Sequence, residues 1–176
     1  DGRSLAAEIA AGPLGVARSL DIAAQCASAL SRAHELDVVH RDIKPDNIHL
    51  VASGPSRDFA KILDFGLAHM KGELRLTASG AVFGTPEYMA PEQGRGAPMT
   101  ASADLYSLGC VLFEMLSGTP PFKGSTPDLI LKHMRETAPR VSTRVRGVPE
   151  PLDTLVARLL EKDPARRHRD AFHLLE

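Results

Sequence analysis

Two cysteines in 176 residues leave too few thiols for a disulfide framework. Both Cys26 and Cys110 sit in apolar stretches with helical spacing, which points to buried thiols in a reducing compartment rather than a bridge or a metal site. An excess of one charge is also lacking. With 21 Lys+Arg against 22 Asp+Glu the net charge is -1, so no bulk field draws the chain to nucleic acid or to an anionic membrane. Long hydrophobic runs are absent too. The longest, Leu105 to Leu116, is broken by Ser107 and Glu114 and falls short of the roughly 20 apolar residues of a spanning helix. A cytoplasmic segment without membrane contact is expected, which leaves room for a span elsewhere in a longer protein. The chain has no initiator Met and no charged start before an apolar run, so it reads as cut from a longer protein rather than as beginning with a signal peptide. What is present is 43% hydrophobic and 24% charged residues. That balance excludes a disordered or low-complexity chain and suits one globular unit.

Apolar periodicity organises the chain. From Pro13 and Gly15 through Leu36, the residues Ile22, Cys26, Leu30 and Ala33 recur at helical spacing, predicting a helix with one buried face. Short extended pieces are expected at Val38-Val39, Ile48 to Val51 and Lys61 to Leu63, separated by a turn-rich stretch through Pro45-Asp46-Asn47 and by the turn Ser53-Gly54-Pro55-Ser56. Residues 66–96 show no sustained period and suggest a long surface segment. A second helix opens at Thr100 or Ser102, carries Leu105, Leu108, Leu112 and Met115, and stops at Gly118. Apolar around most of its circumference, it belongs at the centre of a domain. Ser125-Thr126-Pro127-Asp128 is a further helix start, Leu152 to Leu160 forms another helix ending at Asp163-Pro164, and a last helix is expected near Arg169.

The chemistry concentrates in His40-Arg41-Asp42-Ile43-Lys44-Pro45-Asp46-Asn47. A carboxylate, an ammonium and an amide fall within one turn, and Asp64 joins them if the flanking strands pair. Carboxylate and amide oxygens are hard ligands that suit Mg2+, a Lys offsets charge on a transferring group, and a second Asp can accept a hydroxyl proton. The set therefore suits phosphate chemistry. Any one of these residues could equally be a solvated turn residue; the ordered set argues against that. Of seven histidines only His40 and His49 lie near this loop, so packed and surface imidazoles are favoured over a histidine metal site.

In these motifs the sequence resembles the protein kinase family. His40 to Asn47 matches its catalytic loop, Asp64-Phe65-Gly66 its metal-binding motif, and Ala90-Pro91-Glu92 the end of its activation segment, preceded by Gly84-Thr85-Pro86-Glu87-Tyr88-Met89. The resemblance implies a mainly α fold with short β-hairpins: the kinase-like large lobe, running over 1–176 from the hinge and first large-lobe helix to the start of the last helix. It implies Ser/Thr-directed phosphoryl transfer from ATP with Mg2+, and Met89 and Gln93 look like the bacterial branch. Asp42 would orient and deprotonate the substrate hydroxyl, Lys44 would steady the phosphoryl group, and Asn47 and Asp64 would hold Mg2+. Glu92 and Arg167 would form a buried ion pair, and Asp104 would hold the backbone at His40 and Arg41. His49, two residues after Asn47, stands where the family usually places an apolar side chain beneath adenine; a protonated imidazole is costly to desolvate there, so nucleotide affinity should weaken toward acid pH. Arg41 before Asp42 goes in this family with loop phosphorylation. Thr77 or Ser79 would carry the phosphate, Arg41 and His69 would read it, and Thr85, a weaker candidate, would contact Asp42 and Lys44.

No G-x-G-x-x-G loop and no Val-Ala-x-Lys strand occur in the chain. The small β-rich lobe is therefore expected upstream as a partner of this one, and the fragment alone is expected to be inactive. The partner substrate would be a protein with Ser or Thr. The alternatives are a non-catalytic kinase-like scaffold, against which the presence of Asp42, Lys44, Asn47 and Asp64 argues, and a small-molecule phosphotransferase, which lacks an Ala-Pro-Glu segment.

Overall fold

The computed structural model describes residues 2–53, 56–65 and 85–175. Chain order is β1 (Gly2–Ser4), α1 (Leu5–Ala10), α2 (Val16–His34), a 3-10 turn at Pro45–Asn47, β2 (Ile48–Ser53), β3 (Ser56–Ile62), a 3-10 turn at Pro86–Tyr88, α3 (Pro91–Gly94), α4 (Ala101–Ser117), α5 (Thr126–Arg135) and α6 (Glu150–Leu159). Short 3-10 turns follow α5 and α6. Helices dominate, and the one sheet among the described residues has the antiparallel order β1-β2-β3. No helix among the described residues is long and apolar enough to cross a membrane.

The apolar girdle of α4 puts it at the centre. Of its residues only Ala101, Ser102, Glu114 and Ser117 escape burial. Gly118 takes φ +74 and donates its N–H to Glu114 O at 2.7 Å, which stops the helix in a left-handed residue that glycine adopts without strain. Packed on α4 are the inner face of α2, through Ile22, Cys26 and Leu30, and the inner face of α6, through Leu152, Val156 and Leu159. At Gly109 the α6 approach is close. A Cβ there would meet Leu159 Cβ at 2.7 Å, so glycine allows the two helices to touch. Burial pushes the Cys26 thiol up to about 12 and raises Cys110 as well, which makes both inert core residues.

Two arginine clamps tie the periphery to this core. Arg18 of α2 bonds Asp58 of β3 at 2.8 and 3.0 Å and Glu8 of α1 at 2.8 Å, and both carboxylates raise its pKa further. Arg167 is wholly buried and grips Glu92 of α3 through two bonds of 2.7 and 2.8 Å. It also donates to Ser102 O and Glu161 O, each at 2.8 Å, so its desolvated guanidinium has a partner on each side.

Several sequence expectations need correction. Val38-Val39 joins no ladder, and the second strand of the hairpin begins at Ser56, not Lys61. Short β1 and α1 lack a period long enough to read, yet β1 completes the sheet and Ser4 Oγ caps α1 by accepting from Ala7 N at 3.2 Å. The helix over Leu152–Leu160 ends at Leu159, before Asp163-Pro164, and no helix forms near Arg169. There a single 3-10 turn at Phe172–Leu174 forms, and Asp170 accepts the His173 N–H beside it at 2.8 Å.

His133 on α5 is fully buried, and burial first, then the charge of Lys162, hold its pKa at about 4 instead of 6.5. The unfolded chain therefore takes up a proton that the folded one refuses. The His133 contribution is fully present above about 6.5 and is lost as pH falls toward 4, a swing of about 3 kcal/mol. Urea unfolding between neutral pH and pH about 4 should show a steeper loss of stability for wild type than for His133→Phe by about that amount. Parallel slopes would remove His133 from the acid response.

Candidate active site

The register of the hairpin assembles the site. Ile48 pairs with Ile62, so Asn47 and Leu63 face each other where the ladder ends, and the Leu63 N–H donates to Asn47 O at 2.8 Å. The Leu63 carbonyl, one residue before Asp64, lies 2.8 Å from buried His40 Nε2. The His40 ring also packs edge-on to Phe65 with centroids 4.8 Å apart. The loop that carries Asp42 and the segment that carries Asp64 are thereby tied together through backbone carbonyls.

Asp104, near the start of α4 and 1% exposed, anchors the loop from below. Its carboxylate accepts from His40 N and Arg41 N, each at 2.8 Å, and from His34 Nε2 on the last turn of α2, also at 2.8 Å. Arg41 takes φ +70, a left-handed conformation that costs a side-chain-bearing residue about 1–3 kcal/mol. Asp104 holds its N–H, and Gln93 Nε2 of α3 donates to its carbonyl at 3.1 Å. Both ends of the strained peptide are thus held by side chains from other elements. The role of His34 was missed in the sequence, because nothing in its spacing marks a residue that acts through Asp104. Gln93 was noted there only as a family likeness.

On this footing the polar residues converge. Lys44 Nζ lies 2.8 Å from Asp42 Oδ2 and donates to Thr85 Oγ1 at 3.3 Å. Asn47 Nδ2 donates to Asp42 O at 2.8 Å and to Asp42 Oδ2 at 3.0 Å. Asp42 Oδ2 is therefore saturated, whereas Oδ1 has no hydrogen-bond partner among the described residues and the side chain is 41% exposed. Because Asn47 spends its amide N–H on Asp42, its Oδ1 is left without a protein partner among the described residues. The exposed Asp64 carboxylate is likewise uncommitted, and its backbone is left-handed at φ +62. Two unshared hard oxygens at the end of one hairpin fit a Mg2+ ion that takes its other ligands from water and phosphate. His49 lies on β2 between Ser4 and Lys61, on the face opposite buried Ile48 and Leu50, and is half-buried. The proposed regulatory residues His69, Thr77 and Ser79 lie outside the described residues.

Asp104→Ala strips three donors of one buried acceptor and should lower stability by about 3 kcal/mol or more in urea titration. Asp104→Asn keeps one acceptor oxygen and should lose less, because only part of the donor set goes unmet. Equal and negligible losses would show that the loop does not rest on Asp104.

Comparison with known proteins gives the family and the fold. Residues 2–175 match the family described as protein kinase domain. The chain is 43% identical over 174 residues to the serine/threonine-protein kinase PknD of Mycobacterium tuberculosis (strain CDC 1551 / Oshkosh), covering 97% of this chain and 26% of that one. It is 40% identical over 157 residues to PknE of M. tuberculosis (strain ATCC 25177 / H37Ra), covering 89% and 27%. It thus spans about a quarter of the length of these curated relatives. Among solved structures, the M. tuberculosis PknI kinase domain superposes with a TM-score of 0.74 at 26% identity, over 99% of this chain and 60% of that one. Rad53 1-466 in complex with AMP-PNP superposes with a TM-score of 0.79 at 30% identity, over 100% and 43%. With its ordered motifs, its large-lobe architecture and these likenesses, the chain belongs to the protein kinase family and its relatives are serine/threonine kinases.

Proposed function

We propose that this chain is the catalytic large lobe of a protein that transfers the terminal phosphoryl group of ATP to Ser or Thr hydroxyls of protein substrates. The observation that carries this reading is the half-open Asp42 carboxylate. One of its oxygens is fixed by Lys44 and Asn47 and the other is left to a substrate, 3.3 Å being all that separates Lys44 from Thr85 on the substrate-facing segment. Asp42 orients the attacking hydroxyl and accepts its proton. Lys44 sets a positive charge beside the transferring group without leaving its carboxylate partner. Asn47 Oδ1 and Asp64 are the oxygens that would hold Mg2+, which when bound offsets charge on the phosphate oxygens. The AMP-PNP carried by Rad53 supports a nucleotide as the second ligand.

His49 would form the floor under the base. Around it the outer face of the sheet carries exposed Phe59, and Leu63 and Phe65 are exposed just beyond the end of β3. Such a patch suits a covering element, which we assign to the small lobe of the same chain. Without that lobe's glycine-rich loop and strand Lys, the segment alone lacks the nucleotide roof and should show no turnover. Arg41, together with His69, would read a phosphate on Thr77 or Ser79.

In the full-length protein, Asp42→Asn and Asp64→Asn should each lower transfer from labelled ATP to a basic protein substrate by about 100-fold or more. Turnover unchanged by either variant would refute the assigned roles. Nucleotide titrations should show affinity falling from neutral to mildly acid pH for wild type and a flatter profile for His49→Leu. Parallel profiles would take His49 out of the nucleotide floor.

A further inference from the structure

Beside the Glu92–Arg167 pair lies a second cation withdrawn from water that the candidate site does not use. Lys162, in the linker after α6, donates from Nζ to Tyr106 Oη at 2.8 Å. The ammonium also lies 5.2 Å from the Tyr106 ring centroid and 4.7 Å from that of Phe122. No carboxylate pairs with it among the described residues. Burial pulls its pKa from 10.5 down to about 8, against the opposing charges of Glu136 and Glu161. A methionine or leucine would fill the space between two rings without desolvating a charge. Packing alone therefore does not account for a lysine here.

Its directional effect does. An ammonium only donates, so the Tyr106 oxygen receives a Lys162 proton and turns its own proton toward its other neighbour, His133 Nδ1, 2.9 Å away. With Nδ1 an acceptor, the proton of the neutral ring sits on Nε2. The ring is held there edge-on to Tyr106 and Phe122, with centroids 5.6 and 5.0 Å apart. His133 Nε2 is buried and has no hydrogen-bond partner among the described residues, while the backbone of Glu87 favours a proton on the ring. Glu87 lies in the turn Pro86–Tyr88, two residues after Thr85. α5 also adjoins this segment elsewhere: a Cβ at Gly94 would come within 3.1 Å of Met134 and of Met89, and Arg95 donates to Met134 O at 2.9 Å.

We propose that Lys162 is a positioning residue for the substrate-facing segment 85–94: through Tyr106 it sets the proton on His133 Nε2, and that N–H closes onto the Glu87 carbonyl when a protein substrate engages the segment. The first two links, Lys162 to Tyr106 and Tyr106 to His133, are made in the structure, and the last, from His133 to Glu87, is the one that closes. It rests on the kinase reading for what the segment engages, but the donor order itself does not depend on turnover.

In the full-length protein, Lys162→Met and Tyr106→Phe should each raise KM for a protein substrate about five-fold, the value of one hydrogen bond. KM for ATP and kcat should stay within about two-fold. Lys162→Arg, which keeps a donor above the two rings, should stay near wild type. Hydrogen exchange supplies a readout without turnover: amides of 85–94 should exchange faster in the Met and Phe variants, with α2 and α4 unchanged. If wild type transfers no phosphate, the kinase reading falls and exchange alone decides the inference. Unchanged exchange over 85–94 in both variants overturns it, and so does faster exchange spread evenly over α2 and α4. In an active enzyme, a matching rise in KM for ATP also overturns it.

Discussion

A single buried carboxylate carries the candidate site. Asp104 projects from the central helix α4 and receives three donors: two consecutive backbone N–H groups of the loop and the imidazole of His34. A charge so placed is tolerable only with all of its partners present, and this makes the arrangement close to all-or-none. The loop cannot drift without stranding an anion in the core, so Arg41 stays in its left-handed conformation and the next residue, Asp42, faces outward in one orientation. Precision at the surface is thereby borrowed from burial beneath it.

The same device recurs at the other charged positions of the core, with different chemistry. Arg167 meets Glu92 as a two-pronged pair and spends its remaining N–H groups on backbone carbonyls. Its guanidinium also lies 4.9 Å from the Tyr106 ring centroid. Lys162 reaches the opposite neighbours of that ring system, where aromatic faces and a phenol oxygen stand in for a carboxylate. Tyr106 is therefore contacted by both cations, one belonging to the anchor of α3 and the other to the linker after α6. Through it, α3, which ends segment 85–94, and α5, whose His133 bonds the same phenol, share one core residue.

Other charged contacts are spent on the fold rather than on chemistry. The Arg18 clamp joins α1, α2 and β3 and so fixes the hairpin from which Asn47 and Asp64 extend. Gly109 lets α6 seat against α4 at a distance that no side chain would permit. These contacts are remote from Asp42, yet they set the frame on which its neighbours converge.

Much of this was legible in the sequence, and the division has a physical basis. The long helices declare themselves because burial of one face imposes a repeat of three and four residues; α4 was placed at the centre because its apolar positions leave no solvent face. Asp42, Lys44 and Asn47 stood out because a carboxylate, an ammonium and an amide fall within one turn, whereas Asp64 could be added only through the expected strand pairing and the family resemblance. Short elements such as β1 and α1 carry too few residues for a period. What tertiary structure alone decided are contacts between residues distant in sequence: His34 on Asp104 across 70 positions, Arg18 on Asp58 across 40, and Lys162 on Tyr106 across 56. Each joins side chains whose own neighbourhoods give no sign of the partner. Their geometry follows only from how the helices pack, because the desolvation that makes each contact matter does not exist until the core has closed.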